Sequence, residues 1–273
     1  MEPYKPQLNF EYPSKLDQSM LKIKVLRNTI VDEHYPFLNK SLGFRFMQGL
    51  VYLGIVLPAY IIIKIRLGLQ IEGRENFRKN RKLLKNGAMT VSNHIHRWDF
   101  LCVHKAVRGR FIYFPAWKGN LDGPDGPVIR FAGGIPIPDN IHAMKSFNNA
   151  FDELRAKKKW IHVYPEGSAF FYFQPIRPFK KGVFSMAYRY NLPIIPMAFS
   201  YRKPAFPYTL VNVFRFIRKK QKFPMLTLRV GEPLFFDPKL SRKEAIQQMR
   251  KECHEAIVRL AGISDNPFPA EGD

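Results

Sequence analysis

The chain has 273 residues, of which 46% are hydrophobic, so it can bury a sizeable core and suits one large α/β domain, or one domain with an appendage. Its 44 basic and 22 acidic residues give a formal net charge of +22, which favours polyanionic partners: nucleic acid, an anionic lipid surface or an acidic soluble protein. The two cysteines, Cys102 and Cys253, are too few for a disulfide framework, which suits a reducing compartment.

An apolar segment is the first predicted element. The first forty residues are polar and indicate no secretory signal. Phe46–Ile63 then runs without a charge between Arg45 and Lys64. As a helix it would be about 27 Å long, with a kink at Pro58. A buried core helix has the same pattern, but the flanking cations favour membrane contact, as a marginal span or as a re-entrant or interfacial hairpin.

The charge distribution predicts which side of the membrane holds the bulk of the chain. Residues 1–45 contain 7 basic and 5 acidic side chains, so they account for only +2 of the total +22. The strongly basic remainder is expected at the cytoplasmic face. We therefore predict an N-terminal helical region at 1–66, with its membrane-associating segment at 46–63, and a second domain at 67–273.

Strand and helix patterns alternate in this second domain. The patterns predict strands at 67–73, 88–92, 110–117, 160–164, 193–201 and 225–230, and helices at 98–107, 141–158, 183–190 and 241–261. Asn140 and Ser241 are expected to cap two of the helices, and Gly119–Pro127 is expected to be a loop. The predicted fold is α/β, with a mostly parallel mixed sheet flanked by helices.

The segment Asn93–Asp99, which follows the second strand, predicts a catalytic site. A carboxylate that accepts one imidazole N–H leaves the other ring nitrogen free to take a proton, so His94 and Asp99 form a base and its orienting acid. His96 is the competing histidine and is expected at the start of the helix. A metal site would need further ligands in a spaced cluster, and the other histidines form none, so no metal is predicted.

Four separated segments follow one another in a characteristic order. They are Asn93–Asp99, Lys118 with Gly133–Ile137, Tyr164–Ser168 with Pro178–Gly182, and Leu192–Pro196. This set resembles the lysophospholipid and glycerol-phosphate acyltransferase family, whose motifs read roughly H-x4-D, G-x-I-x-I, P-E-G-[ST] and [IV]-P-[IV]-x-P. The resemblance covers about residues 67–230.

The resemblance implies transfer of an acyl chain from a thioester, acyl-CoA or an acyl carrier protein (ACP), to a hydroxyl of a lysophospholipid or lysophosphatidic acid. His94 would be the base and Asp99 its partner, with no other cofactor. Backbone N–H groups near Gly134 or Gly167 would stabilise the oxyanion. The predicted acceptor-binding residues are Glu166, Gly167, Ser168, Lys118, Arg177 and Lys180.

The sequence departs from the family pattern at two positions. Asp139 and Ala169 stand where members that bind a phosphate-bearing acceptor usually carry arginine, and Phe170–Phe173 adds four aromatic residues beside the second position. Without those guanidinium groups, the expected acceptor is not lysophosphatidic acid but a lysophospholipid with a larger headgroup or another hydroxylated lipid.

Two other functions are consistent with the sequence. One is a transacylase that moves chains directly between phospholipids, and the other is a non-catalytic, basic membrane-binding relative. Three basic runs, Arg74–Lys85, Arg155–Lys159 and Arg215–Lys222, are either solvated faces or surfaces for anionic headgroups. No nucleic-acid-binding signature is visible, so an anionic membrane surface is the expected partner.

Overall fold

The computed structural model describes residues 3–6, 10–16, 18–20, 23–107, 110–206 and 223–271. Seven strands form one sheet in the order β1-β7-β6-β2-β5-β3-β4. The strands are β1 Gln70–Glu72, β2 Met89–Ser92, β3 Ile112–Trp117, β4 Gly134–Ile137, β5 Trp160–Val163, β6 Ile194–Arg202 and β7 Met225–Val230. The neighbouring strands pair in parallel, except that β6 and β7 are antiparallel. The predicted mostly parallel mixed sheet is thus confirmed.

Helices cover both faces of the sheet. They are α1 Leu42–Leu67, α2 Glu75–Lys79, α3 Asp99–Ala106, α4 Lys118–Asp122, α5 Gly126–Phe131, α6 Ile141–Ala156, α7 Gly182–Tyr190 and α8 Arg242–Ala261. On one face Phe151, Phe184 and Ile257 bring α6, α7 and α8 into a common core, and on the other Ile63 and Cys102 do so for α1 and α3. Both faces of the central strands are therefore buried, as their apolar runs predict.

The apolar segment forms the continuous helix α1, about 39 Å long at the usual rise per residue. A π-helical turn, Tyr52–Val56, interrupts its regular pattern, and the N–H of Leu57 bonds to the carbonyl of Tyr52. This wider turn lies just before Pro58, where the predicted kink was placed; proline lacks an N–H and clashes with the preceding turn. Because the helix is continuous, the hairpin form of membrane contact is wrong.

One side of α1 packs on the domain and the other is an exposed apolar surface. Val56 and Ile63 are fully buried. Large exposed apolar side chains follow one another at spacings of three and four along the other side: Leu42, Phe46, Leu50, Leu53, Leu57, Ile61 and Ile65. Within the described residues, α1 is the helix that is long and apolar enough to cross a membrane, judged by length and composition. It is thus the candidate membrane segment.

The described residues among the first forty form no helix, so the description of residues 1–66 as a helical region does not hold for them. Between residues 3 and 40 the described positions contain no helix or strand. Instead the chain runs across the carboxyl ends of the strands as an extended N-terminal arm. Its N–H at Tyr4 bonds to Tyr201 at the end of β6, and its N–H at Leu26 bonds to the carbonyl of Asp122 in α4.

The predicted connections and caps have mixed outcomes. Gly119–Pro127 is not a plain loop, because it contains the end of α4 and the start of α5; Pro127 lies in the first turn of α5, where its missing N–H does not matter. Asn140 accepts from the N–H of His142, and Ser241 forms a capping box with Glu244, so both caps are confirmed. The basic run Arg215–Lys222 lies outside the described residues.

Candidate active site

His94 and Asp99 meet at the carboxyl end of β2. Nδ1 of His94 lies 3.0 Å from Oδ2 of Asp99, and the same oxygen accepts the N–H groups of Ile95 and His96 at 2.9 Å each. The His94 side chain is 23% exposed, whereas that of Asp99 is 0% exposed. Because Nδ1 faces the carboxylate, Nε2 is the ring nitrogen available to an incoming hydroxyl.

The turn that carries His94 is fixed by the residues around it. The side chain of Asn93 donates to the carbonyl of Phe199 in β6 and accepts from the N–H of the same residue, at 3.0 and 2.8 Å. At the other end of the turn, Nδ1 of His96 accepts from the N–H of Trp98 at 3.1 Å, in the predicted position at the start of α3. These bonds tie the turn to β6 and α3, so the backbone at His94 is well defined.

Glu166 follows β5, the neighbour of β2, and holds His94 from behind. Its Oε2 accepts the backbone N–H of His94 at 3.0 Å and the Arg177 guanidinium at 2.8 Å, while Oε1 accepts the N–H of Arg177. Arg177 also donates to the hydroxyl and the carbonyl of Ser168. The side chains of Glu166 and Arg177 are each 1% exposed. Such buried side chains are not accessible to an acceptor, so the predicted direct contact of Glu166 and Arg177 with it does not fit the structure. Their hydrogen bonds instead position the backbone of His94.

The two predicted lysines differ in their surroundings. Nζ of Lys118 donates to Oδ2 of Asp122 at 2.6 Å, and Asp122 also accepts the N–H of Thr29, so Lys118 helps to anchor the N-terminal arm. Burial by itself would raise the pKa of Asp122, but the hydrogen bonds from Lys118 and Thr29 and the charge of Lys118 lower it overall. Lys180 is exposed, and its side chain lies across Gly167. Lys180 is therefore the better placed of the two to meet a ligand.

Neither glycine predicted to donate to an oxyanion has a suitable N–H group. Gly134 is the first residue of β4, which lies three strands from β2, or about 14 Å at the usual spacing. Its predicted role is therefore wrong. Gly167 does lie beside the site, but its N–H donates to the carbonyl of Tyr164 at 3.1 Å. Gly167 has φ of +80°, and a Cβ there would approach Cε of Lys180 to 2.7 Å, so glycine is needed for this turn.

A comparison with protein families assigns this region. The family model described as Acyltransferase matches residues 68–200, which include His94, Asp99 and Glu166. Residues 68–200 therefore match the sequence pattern of an acyltransferase domain, which indicates an enzyme that transfers acyl groups.

A comparison with solved structures gives a similar protein. The 1-acyl-sn-glycerophosphate (LPA) acyltransferase PlsC from Thermotoga maritima is 20% identical, with a TM-score of 0.47, over 81% of this chain and 94% of that one. Comparison with curated proteins finds no match.

Aromatic stacking holds the imidazole of His94 in place. The rings of His94 and Tyr164 lie 4.0 Å apart, centre to centre, and nearly parallel at 14°. Burial, and to a lesser degree the charge of Asp99, raises the pKa of Tyr164 well above its usual value, so the phenol stays neutral. Behind it, burial and the nearby His94 lower the pKa of His162 to about 3. The two aromatic side chains beside the imidazole, Tyr164 and His162, are therefore neutral at pH 7.

The described residues provide neither a reactive thiol beside this pair nor a metal cluster. Cys102 is buried, and burial raises the pKa of its thiol well above the usual value, so it is a core residue as predicted. Across the described parts of the chain there is no cluster of three or more His, Cys, Asp or Glu side chains suited to a metal ion. The group at the site whose geometry suits it to accept a proton is Nε2 of His94.

The N-terminal arm packs over the segment that carries Glu166, and the sequence did not predict this. Its Leu16 carbonyl accepts from Arg177 at 2.7 Å. Its Tyr12 ring stacks on Phe170 at 5.7 Å and meets Phe173 edge-on at 4.9 Å. The signal available in the sequence was compositional, since aromatic residues occur both in the arm and at 170–173. These contacts make the arm part of the wall of the candidate site.

Proposed function

We propose that the protein is an acyltransferase that moves a fatty acyl chain from acyl-CoA or acyl-ACP to a hydroxyl of a lysophospholipid, in phospholipid biosynthesis or remodelling. The observation that carries the proposal is the 3.0 Å contact between Nδ1 of His94 and the fully buried Asp99, with the His94 side chain still 23% exposed. An enzyme with a base and no nucleophile of its own suits an acceptor that supplies the hydroxyl.

The proposed reaction is a direct transfer. Nε2 of His94 takes the hydroxyl proton as the acceptor oxygen attacks the thioester carbonyl carbon, and Asp99 stabilises the imidazolium that forms. The tetrahedral intermediate then collapses, the carbon–sulfur bond breaks, and the sulfur leaves with the proton carried by the imidazolium. Such proton transfer contributes about 10²–10⁴-fold to the rate.

The proposed acceptor carries a headgroup beyond the bare phosphate. Asp139 is exposed just after β4, and Ala169 is buried, so neither of the two family positions supplies a guanidinium. The exposed Lys180 beside Gly167 is a single point charge, which suits a phosphodiester better than a dianionic phosphate monoester. A lysophospholipid such as lysophosphatidylcholine is therefore proposed ahead of lysophosphatidic acid.

The proposed location is the cytoplasmic face of a membrane. The exposed apolar side of α1 gives the enzyme a surface for lipid, and the basic bulk of the chain suits an anionic leaflet. An acceptor that is itself a lipid would reach the enzyme from the same layer.

Acyl transfer by the detergent-purified protein tests the proposal. Radiolabelled donors on CoA and on ACP are assayed with lysophosphatidylcholine and lysophosphatidic acid. We expect His94→Ala to abolish transfer while His142→Ala, at an exposed histidine, leaves it unchanged. Full activity of His94→Ala would overturn the mechanism. A wide preference for lysophosphatidic acid would overturn the acceptor assignment alone.

A further inference from the structure

Two basic runs that are far apart in the sequence meet in one pocket. The pocket lies at the amino ends of β2, β3 and β5, has a volume of about 590 Å³, and includes the rings of Phe111 and Trp160. Its basic side chains are Arg81, Lys82, Lys85, Arg110, Lys157, Lys158 and Lys159. The fold thus brings seven cations together around one concavity. If the basic runs were merely separate solvated surfaces, they would not share a pocket.

These cations are largely uncompensated. Lys157 pairs with Glu153 at 2.5 Å. In the described parts of the chain the other six form no ion pair. Burial, and then the charge of Arg81, lowers the pKa of Arg110, as expected for a cation that faces another. Such mutual repulsion is relieved when an anion binds between the side chains.

Part of the pocket is held by the fold. The Arg110 guanidinium lies 4.5 Å above the ring of Trp160, which is itself buried. Lys158 has φ of +54°, a left-handed backbone conformation that few residues other than glycine adopt. Because its backbone follows α6 and precedes β5, this turn directs the run 157–159 to the same rim as Arg110. The positive charge is therefore placed by built structure.

The neighbourhood of the pocket indicates the kind of anion. Phe111, which lines it, contacts the ring of Tyr52 in α1 at 6.2 Å. Close to Tyr52, the exposed Leu50 and Leu53 belong to the apolar side of α1. A cationic pocket beside an apolar helix surface matches a lipid layer, in which charged headgroups lie next to acyl chains.

We propose that this amino-edge pocket binds the headgroup of an anionic lipid that carries a phosphate monoester, such as phosphatidic acid. Several cations in one concavity suit a group with more than one negative charge. The site is separate from the catalytic one, because β5 begins at Trp160 in the pocket and ends beside the Glu166 turn, about 13 Å away. The inference rests on the proposed membrane association but not on the chemistry of His94.

Vesicle flotation with the full-length protein tests the proposal. Phosphatidylcholine vesicles contain either phosphatidic acid or phosphatidylserine at matched total negative charge. The pocket variant carries Lys82→Gln, Lys85→Gln and Lys159→Gln, and the control variant carries Lys239→Gln, Lys243→Gln and Lys251→Gln. All six lysines are exposed, so both variants are expected to fold and to have the same net charge.

We expect the wild type to prefer phosphatidic acid. The pocket variant should lose about 10- to 100-fold in binding, together with that preference, whereas the control variant should keep both. Equal losses in the two variants, or equal binding of the wild type to the two lipids, would overturn the proposal. So would tighter binding of soluble pyrophosphate than of the vesicles, since the site would then serve a soluble phosphate.

The pocket variant also separates this proposal from the catalytic one. In neutral detergent micelles its acyl transfer should equal that of the wild type, because none of its three lysines lies near His94. Loss of vesicle binding with intact transfer supports the lipid site whatever the fate of the His94 mechanism.

Discussion

The two edges of the sheet use charge in opposite ways. At the carboxyl edge, the buried charges have partners: Asp99 accepts three N–H groups, and Glu166 faces Arg177. At the amino edge, six exposed or half-buried cations surround a concavity without a carboxylate within ion-pair distance in the described residues. Paired charges position groups within the protein, whereas unpaired charges are available to ligands. The buried charges at the carboxyl edge are therefore committed to contacts within the protein, whereas the described pocket cations at the amino edge are open to an anionic ligand.

The largest expected effect tests the carboxyl edge. Asp99→Asn keeps an oxygen that can accept the N–H groups of Ile95 and His96, but it removes the negative charge that stabilises the imidazolium. We expect kcat to fall by about 10²–10⁴-fold with little change in Tm. Steady-state acyl transfer and thermal unfolding measure the two quantities.

The control for this variant is Asp152→Asn, at an exposed carboxylate that pairs with Arg189. Its kcat should match the wild type. If Asp99→Asn retained full activity, the charge at the carboxyl edge would be structural, and the contrast between the edges would fail.

Much of the fold and the pair itself follow from the sequence. The apolar run Ala88–Ser92 predicts β2 because a strand buried on both faces needs apolar residues throughout. His94 and Asp99 are local in sequence, so their contact depends on one turn and the start of α3. Local spacing was enough to predict them together, as it was for the caps at Asn140 and Ser241.

Long-range contacts were not predictable in the same way. Because Lys180 and Lys181 follow Arg177 in the sequence, Arg177 was predicted to contact a ligand. In the structure it is buried against the carboxylate of Glu166, eleven residues earlier. The arm that carries Leu16 covers this pair from 161 residues away. The meeting of the runs at 81–85 and 157–159 likewise depends on the parallel pairing of β2 with β5. The hydrophobic periodicity of each segment does not predict such contacts between segments that are distant in the sequence.

Removal of one partner from the buried pair should sharpen the comparison through stability. Arg177→Met leaves the Glu166 carboxylate buried and uncompensated, which is expected to lower the free energy of unfolding by about 3–5 kcal/mol. Denaturant unfolding in detergent, followed by tryptophan fluorescence, measures the change. The double variant Glu166→Gln, Arg177→Met should recover part of the loss, because no buried charge remains.

Arg189→Met is the matched control for this stability test. Arg189 pairs with Asp152 at 3.0 Å, but both side chains are about half exposed, so the expected loss is only about 0–1 kcal/mol. Equal losses at Arg177 and Arg189 would show that burial does not distinguish the charges of the carboxyl edge from those of the surface.

A smaller effect concerns pH. The buried His162 lies 2.9 Å from the Thr90 hydroxyl, and burial lowers its pKa to about 3. The unfolded chain, with a histidine pKa near 6.5, binds more protons than the folded chain between these values. His162 therefore does not affect the free energy of unfolding above about pH 6.5, where it is neutral in both states. As the pH falls from 6.5 toward 3, protonation of the unfolded chain lowers the free energy of unfolding by up to about 1.4 kcal/mol per pH unit.

The measurement compares unfolding free energies at pH 7 and pH 5. His162→Gln should show a smaller loss on acidification than the wild type, and His142→Gln, at an exposed histidine, should show the wild-type loss. An unchanged loss in His162→Gln would mean that the histidine behind Tyr164 does not titrate with folding.

The smallest expected effect concerns the acceptor. Asp139→Arg places a guanidinium at the exposed position after β4, on the same edge as His94. One charge-assisted hydrogen bond of about 1.5 kcal/mol would raise kcat/KM for lysophosphatidic acid, relative to lysophosphatidylcholine, by about tenfold.

Asp237→Arg makes the same change of net charge elsewhere on the surface and should leave the ratio unaltered. If both variants shifted the ratio equally, acceptor choice would follow overall charge, and the two edges would not act as separate binding regions. A shift confined to Asp139→Arg would instead mean that the carboxyl edge selects its lipid by local contacts, independently of the cations at the opposite edge.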